Sequence, residues 1–260
     1  MLKRTLKMSF WIWYDYMGTW FMINLCLLTP WIIFIVPLFL HINTFPPLLI
    51  GFLLFGACLY FYIANVFISA FTVSILEHKE GLKNKLGFAI KITFIKSLPV
   101  GLLFLFLFTV LLINIWFYLH KKFSGLLWVN YIFIGLFLWL ILFTFCSLLW
   151  SIPTLSFKRL NTLKNILWGY IILIANPYFS FQLLFCYTIS TLLNIFPLYF
   201  FFIGTVIPPI ILTCAYEILS RKYEAIQKQQ IELPEYIVFR DYEDEFLNRS
   251  WEHLFKPWKL

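Results

Sequence analysis

Long apolar runs without charge are the feature that most constrains how this chain can fold. Residues 48–76 contain no Asp, Glu, Lys, Arg or His. As a helix rising about 1.5 Å per residue, this run exceeds the hydrocarbon thickness of a bilayer, about 30 Å. Within lipid, backbone polar groups must be satisfied inside the protein, so such runs fold as helices or closed barrels. Their length favours helices here.

The composition excludes a water-soluble globular domain. Hydrophobic residues make up 62% of the chain and charged residues 12%, about half the charge that is usual for soluble domains. The chain also contains 32 Phe and 11 Trp, a bias typical of membrane spans and their interfacial belts. The net charge is +8, but the Lys and Arg residues lie in short gaps between apolar runs and form no single basic face. Nucleic acid is therefore not an expected partner.

The apolar runs predict six transmembrane helices, at about residues 19–40, 48–76, 98–119, 125–150, 166–192 and 198–219. The N-terminus, residues 77–97, residues 151–165 and residues 220–260 carry 3, 5, 3 and 7 basic residues, whereas the opposite side carries only Lys121 and Lys122. The positive-inside rule therefore predicts an all-α protein of the bacterial cytoplasmic membrane with both termini in the cytoplasm. Residues 1–219 form the transmembrane domain and residues 220–260 a short helical cytoplasmic tail.

The stretch over residues 77–97 separates two of these apolar runs. Its lysines point all round a helical wheel, so it lacks the polar face of a membrane-surface helix. The pattern favours a cytosolic elbow leading into the third span. A Leu-Lys-Asn triplet occurs here at residues 82–84 and again at residues 163–165, which leaves an internal repeat open.

A few polar residues lie inside or beside the apolar runs. We interpret Asp15, Asn24, Asn65, Asn176 and Gln182 as groups that make polar contacts between helices. Amides hydrogen-bond across helices in lipid, and an isolated acid such as Asp15 needs a cationic partner or water. Asn176 and Pro177 also predict an internal break in the fifth span. The alternative is that Asn24, Asn176 and Gln182 line the path of a neutral solute.

Reactive groups are sparse in the middle of the chain. No Asp or Glu occurs between Gly81 and Tyr216, and carboxylates are the usual carriers of coupled protons and cations within membranes. The five cysteines fall in apolar runs without metal-ligand spacing, and the four histidines are scattered. We therefore predict no enzymatic activity, no cofactor and no metal site.

The tail carries the one candidate partner-binding surface of the sequence. A helix is predicted to begin near Asp241, with an apolar half that would bind a protein partner through Phe246, Leu247, Trp251, Leu254, Phe255 and Trp258. The tail has seven basic and eight acidic residues, so anionic lipid offers it little attraction. Packing of this half on the protein's own basic segments is the alternative.

Three groups of residues resemble the YesL-like bacterial membrane proteins, a family of unknown function. These are residues 14–18 with Asn24 and Leu25, residues 83–97 leading into residues 101–103, and residues 163–165 with Asn176 and Pro177. The resemblance covers about residues 10–215 and implies an accessory component beside carbohydrate uptake systems. The tail departs from the family pattern, which points to a more specialised partner.

Together these features predict a non-catalytic accessory or structural subunit of a larger membrane assembly, with membrane lipids and a protein as partners. The alternative function is a transporter or permease-like component for a neutral solute, such as an accessory to carbohydrate uptake.

Overall fold

The computed structural model describes residues 1–28, 46–77, 81–120, 127–158, 160–195 and 204–227. Over these residues the chain is almost entirely helical and contains no strand, which confirms the predicted all-α class. We number the helices α1 (Leu2–Asp15), α2 (Met17–Leu28), α3 (Pro47–Leu76), α4 (Leu82–Ile92), α5 (Leu98–His120), α6 (Leu127–Lys158), α7 (Thr162–Ala175), α8 (Pro177–Leu192) and α9 (Ile207–Gln227).

Within the described ranges, three helical stretches are long and apolar enough to cross a membrane. They are Leu49–Leu76, Leu82–His120 and Trp128–Lys158, and they correspond to the second, third and fourth predicted spans. The bent pair α7–α8 brings the number to four if it is counted as one span. The first and sixth predicted spans overlap residues 29–45 and 196–203, which lie outside the described residues.

The prediction of an elbow over residues 77–97 is wrong for most of that stretch, because α4 is helical and continues into α5. Gly81, with φ at 71°, precedes the first helical residue. Ala89 and Ile92 are buried, and α4 packs against α3. The lysines lie all round α4, but the small and apolar side chains of Ala89 and Ile92 are enough for it to pack against α3.

A π-helical turn at Thr93–Ser97 joins α4 to α5. Pro99 follows within the continuous helix. Proline lacks an N–H donor and its ring crowds the carbonyl four residues earlier. The widened turn lies at that carbonyl, on Ile95, which accounts for the continuity of the helix through a proline.

The predicted break at Asn176 and Pro177 is confirmed, and the bend it produces is 108°. With a rise of about 1.5 Å per residue, α7 and α8 are roughly 21 and 24 Å long, and at this angle their ends lie about 27 Å apart. The pair is therefore slightly shorter than a hydrocarbon core of about 30 Å. Its shape is that of a broken span or a re-entrant loop.

The terminal helices complete the core. On α1, Met8, Trp11 and Ile12 are buried, and this helix packs against α9. In turn, α9 contacts α3, α6 and α8. Pro208 and Pro209 lie in the first turn of α9, directly after the turn at residues 204–206. Missing N–H donors are tolerated in a first turn.

Candidate functional site

Three polar side chains on one face of α3 connect it to three other helices. Tyr62, Asn65 and Ser69 follow the i, i+3, i+7 spacing that places residues on one face of a helix. The hydroxyls of Tyr62 and Ser151 lie 3.2 Å apart, and Tyr187 on α8 donates to Asn65 Oδ1 at 3.0 Å. The Thr213 hydroxyl on α9 bonds Ser69 Oγ at 2.8 Å. We call these three residues the α3 polar stripe.

A second polar junction holds α6 against α7. The Thr154 hydroxyl donates to Asn165 Oδ1 at 2.5 Å, and Asn165 Nδ2 donates to the Ser151 carbonyl at 3.1 Å. One helical turn further, Gly169 approaches α6 so closely that an added Cβ would lie 2.6 Å from the carbonyl oxygen of Ser147. Small residues at such crossings are what allow helix backbones to meet in membranes.

These two junctions consist of hydroxyl and amide groups, which hold helices together but offer no nucleophile with a neighbouring base. Within the described chain, no group of three or more His, Cys, Asp or Glu side chains could hold a metal ion. The five cysteines are free thiols, two of them buried. Glu217 forms an ion pair with Arg221 at 2.8 Å, one turn along α9, towards the polar end of that helix.

The structure places the predicted polar contact residues in four separate settings. Thr205, in the turn before α9, donates to Asn24 Oδ1 at 3.1 Å, and Asn24 is fully buried. Asn176 donates to the Tyr223 hydroxyl on α9 at 2.6 Å. Gln182 is half-buried on α8, and Asp15 is exposed at the end of α1. The tail residues Phe246, Leu247, Trp251, Leu254, Phe255 and Trp258 lie outside the described residues.

Asn165 carries more of the helix packing than the sequence interpretation assigned to it. A polar residue repeated at i, i+3 and i+7 within the apolar run 48–76 was the available signal for the α3 polar stripe. No polar spacing of this kind marks Asn165 in the sequence. Asn165 is buried, whereas Asn84, the asparagine of the other Leu-Lys-Asn triplet, is exposed. The two triplets therefore occupy different environments, which gives no support to an internal repeat.

An apolar cavity of about 610 Å³ lies between α2, α3 and α4, and we call it the α2–α4 groove. It is lined by Gly18, Thr19, Met22, Ile23, Cys26, Leu27, Tyr60, Ile63, Ala64, Phe67, Leu82, Leu86 and Thr93. Asn24, Asn176 and Gln182 are not among these lining residues, so the structure does not bring them together around this groove.

Fold and packing define the class of this protein as an all-helical membrane protein, with helices long enough to cross a bilayer and a polar interior that joins helix to helix. Comparisons with family models, curated proteins and solved structures found no match for the chain. The resemblance to the YesL-like proteins therefore stays a prediction.

Proposed function

We propose that this protein is a non-catalytic accessory or structural subunit of a larger assembly in the cytoplasmic membrane. It crosses the membrane six times, keeps both termini in the cytoplasm and binds a protein partner through its tail. The observation that carries the proposal is the α3 polar stripe, whose buried side chains bond to three other helices.

This use of polar groups supports a scaffold over a solute pathway. A pathway through the membrane needs polar side chains that face a hydrated cavity. Here the buried amides of Asn24 and Asn65 bond to neighbouring helices or turns, and the α2–α4 groove is lined almost wholly by apolar atoms. Interhelical hydrogen bonds of this kind contribute about 0.6 kcal/mol each in membranes, which favours one fixed packing of the helices.

The outer surface leaves room for lipid and for neighbouring subunits. Large apolar side chains on α5 and α6 are exposed, among them Phe106, Trp116, Trp128 and Trp139. A surface of this kind requires a lipid or protein cover in its native setting. The proposal assigns lipid to most of this surface and the specific partner contact to the tail.

Reporter fusions test the topology. A fluorescent protein fused after residue 260 is expected to fluoresce, and a periplasmic phosphatase inserted at residue 122 is expected to be active, because basic residues stay on the cytoplasmic side. A phosphatase inserted at residue 194, after α8, tests the bent pair and should also be active. Activity of a phosphatase fused after residue 260 would place the C-terminus outside the cytoplasm and contradict the proposed topology.

Co-purification in mild detergent tests the partner. The tagged protein is expected to retain at least one further membrane protein, identified by mass spectrometry. Changing Trp251 and Phe255 together to Ala should reduce that recovery at least tenfold, because aromatic anchors dominate binding energy at protein interfaces. The matched control changes Glu252 and His253 to Ala, since these lie on the opposite half of the predicted helix. Full recovery with the aromatic variant would contradict the proposal.

A further inference from the structure

The α2–α4 groove has two chemically different ends. Near one end, the Tyr60 hydroxyl donates to the Leu27 carbonyl at 2.7 Å. Nearer the other end, the ring of Trp20 packs edge-on against the ring of Phe71, with 5.0 Å between the ring centroids. Helices α2 and α3 therefore run antiparallel along the groove. From Gly18 to Leu27 the groove extends about 13 Å, at about 1.5 Å per residue. Met22, 60% exposed, lines it and leaves it open to the surroundings of the protein.

A cation adjoins the end that starts at Gly18. Lys85 lies on α4 between Leu82 and Leu86, both of which line the groove. Its Nζ donates to the Tyr16 hydroxyl at 2.9 Å and lies 4.6 Å from the centroid of that ring. Tyr16 in turn precedes Gly18 and Thr19, which line the groove. The apolar groove thus has a fixed positive charge beside one end.

Size and charge together identify what fits this groove. A polypeptide helix about 10 Å across and 13 Å long occupies roughly 1000 Å³, more than the space available. One leaflet contributes about 15 Å of hydrocarbon thickness, so the groove matches the upper part of a lipid acyl chain. Lys85 complements a phosphate headgroup at the end of the groove that starts at Gly18.

We propose that the α2–α4 groove is a binding site for one anionic phospholipid, with an acyl chain in the groove and the phosphate at Lys85. The proposal rests on the membrane location given above and is independent of the tail and its partner. The chain thereby gains a specific lipid ligand in addition to the lipid that covers its outer surface.

Native mass spectrometry of the full-length protein tests the proposal, using phosphatidylglycerol and phosphatidylcholine as probes in detergent. The wild type is expected to retain one phosphatidylglycerol molecule. Gly18→Phe should reduce retention at least tenfold, because the new ring fills the groove. The matched control is Gly51→Phe on α3, where an added Cβ likewise meets nothing within 4 Å but the groove is untouched. Cys26→Trp repeats the test from the lining of α2.

The charge is tested separately from the groove. Lys85→Gln should bring retention of phosphatidylglycerol and phosphatidylcholine to about the same level, whereas Lys91→Gln, exposed on the same helix, should preserve the preference. Inorganic phosphate at millimolar concentration should not displace the lipid, and displacement would show that the site recognises a free anion.

Besides displacement by inorganic phosphate, three outcomes would overturn the proposal: undiminished retention by both groove variants, a wild type that retains neither lipid, or equal retention of both lipids by the wild type. The second would mean that another part of the chain or a protein covers the groove. Partner recovery by the tail is measured separately, so failure of this proposal and failure of the proposed function remain distinguishable.

Discussion

Gly169→Leu is expected to force α6 and α7 apart and to lower the stability of the folded protein. A Cβ at this position would lie 2.6 Å from the Ser147 carbonyl oxygen and 2.8 Å from its hydroxyl. The carbonyl belongs to the backbone of α6 and cannot rotate away, so the two helices must separate. Overpacking of this kind costs about 1–3 kcal/mol, and a rigid backbone neighbour places this site at the upper end.

Thermal stability in detergent measures the effect, with the folded fraction read by size-exclusion chromatography after heating. Gly169→Ala should already lower the melting temperature, because alanine supplies the offending Cβ. The matched control is Gly135→Leu on α6, where an added Cβ meets nothing within 4 Å. Glycine is a poor helix former, so the control should be neutral or slightly stabilising. A Gly169→Leu protein as stable as this control would show that α6 and α7 are not in contact here.

Asn65→Leu is expected to destabilise the protein by about 1–3 kcal/mol, because it leaves a buried hydroxyl without its acceptor. Tyr187 donates to Asn65 Oδ1 at 3.0 Å, and both side chains are almost fully buried. Leucine has the same number and branching of side-chain heavy atoms as asparagine, so the change removes the hydrogen bond while keeping the shape of the side chain. The bond joins α3 to α8, and its loss should also loosen the contact between them.

A double-mutant cycle separates this bond from general damage to the core. Adding Tyr187→Phe to Asn65→Leu should restore most of the lost stability, because replacing both partners removes the unsatisfied group. The control is Asn114→Leu on α5, whose half-buried side chain donates to the Val110 carbonyl of its own helix. Additive losses in the double variant, or an equal loss in the control, would contradict a specific α3–α8 bond.

The sequence indicates which buried side chains need a polar partner, but it does not indicate which residue that partner is. Asn24 and Asn176 were expected to make contacts between helices because single amides in apolar runs seek partners. Their partners, Thr205 and Tyr223, lie 181 and 47 residues away along the chain. No periodicity encodes such pairs, since a partner is selected by how helices cross in space.

The neighbouring helix, which the sequence does not identify, also explains why residues 77–97 were predicted to be an elbow and why the close approach at Gly169 was not predicted. The wheel of residues 77–97 showed where the lysines point, but Ala89 and Ile92 become a packing face only because α3 lies beside them. Gly169 is a small residue in an apolar run, as is Gly51, yet only Gly169 meets another backbone.

The sequence alone determined the helical character, the second to fourth apolar stretches and the break at Asn176. It could do so because lipid leaves each segment to satisfy its own backbone, which makes these properties local. Tertiary structure decided the partners of the α3 polar stripe, the close approach at Gly169 and the groove with its cation. These depend on which helix faces come together, and uniformly apolar helices carry no periodic signal that assigns a face to a neighbour.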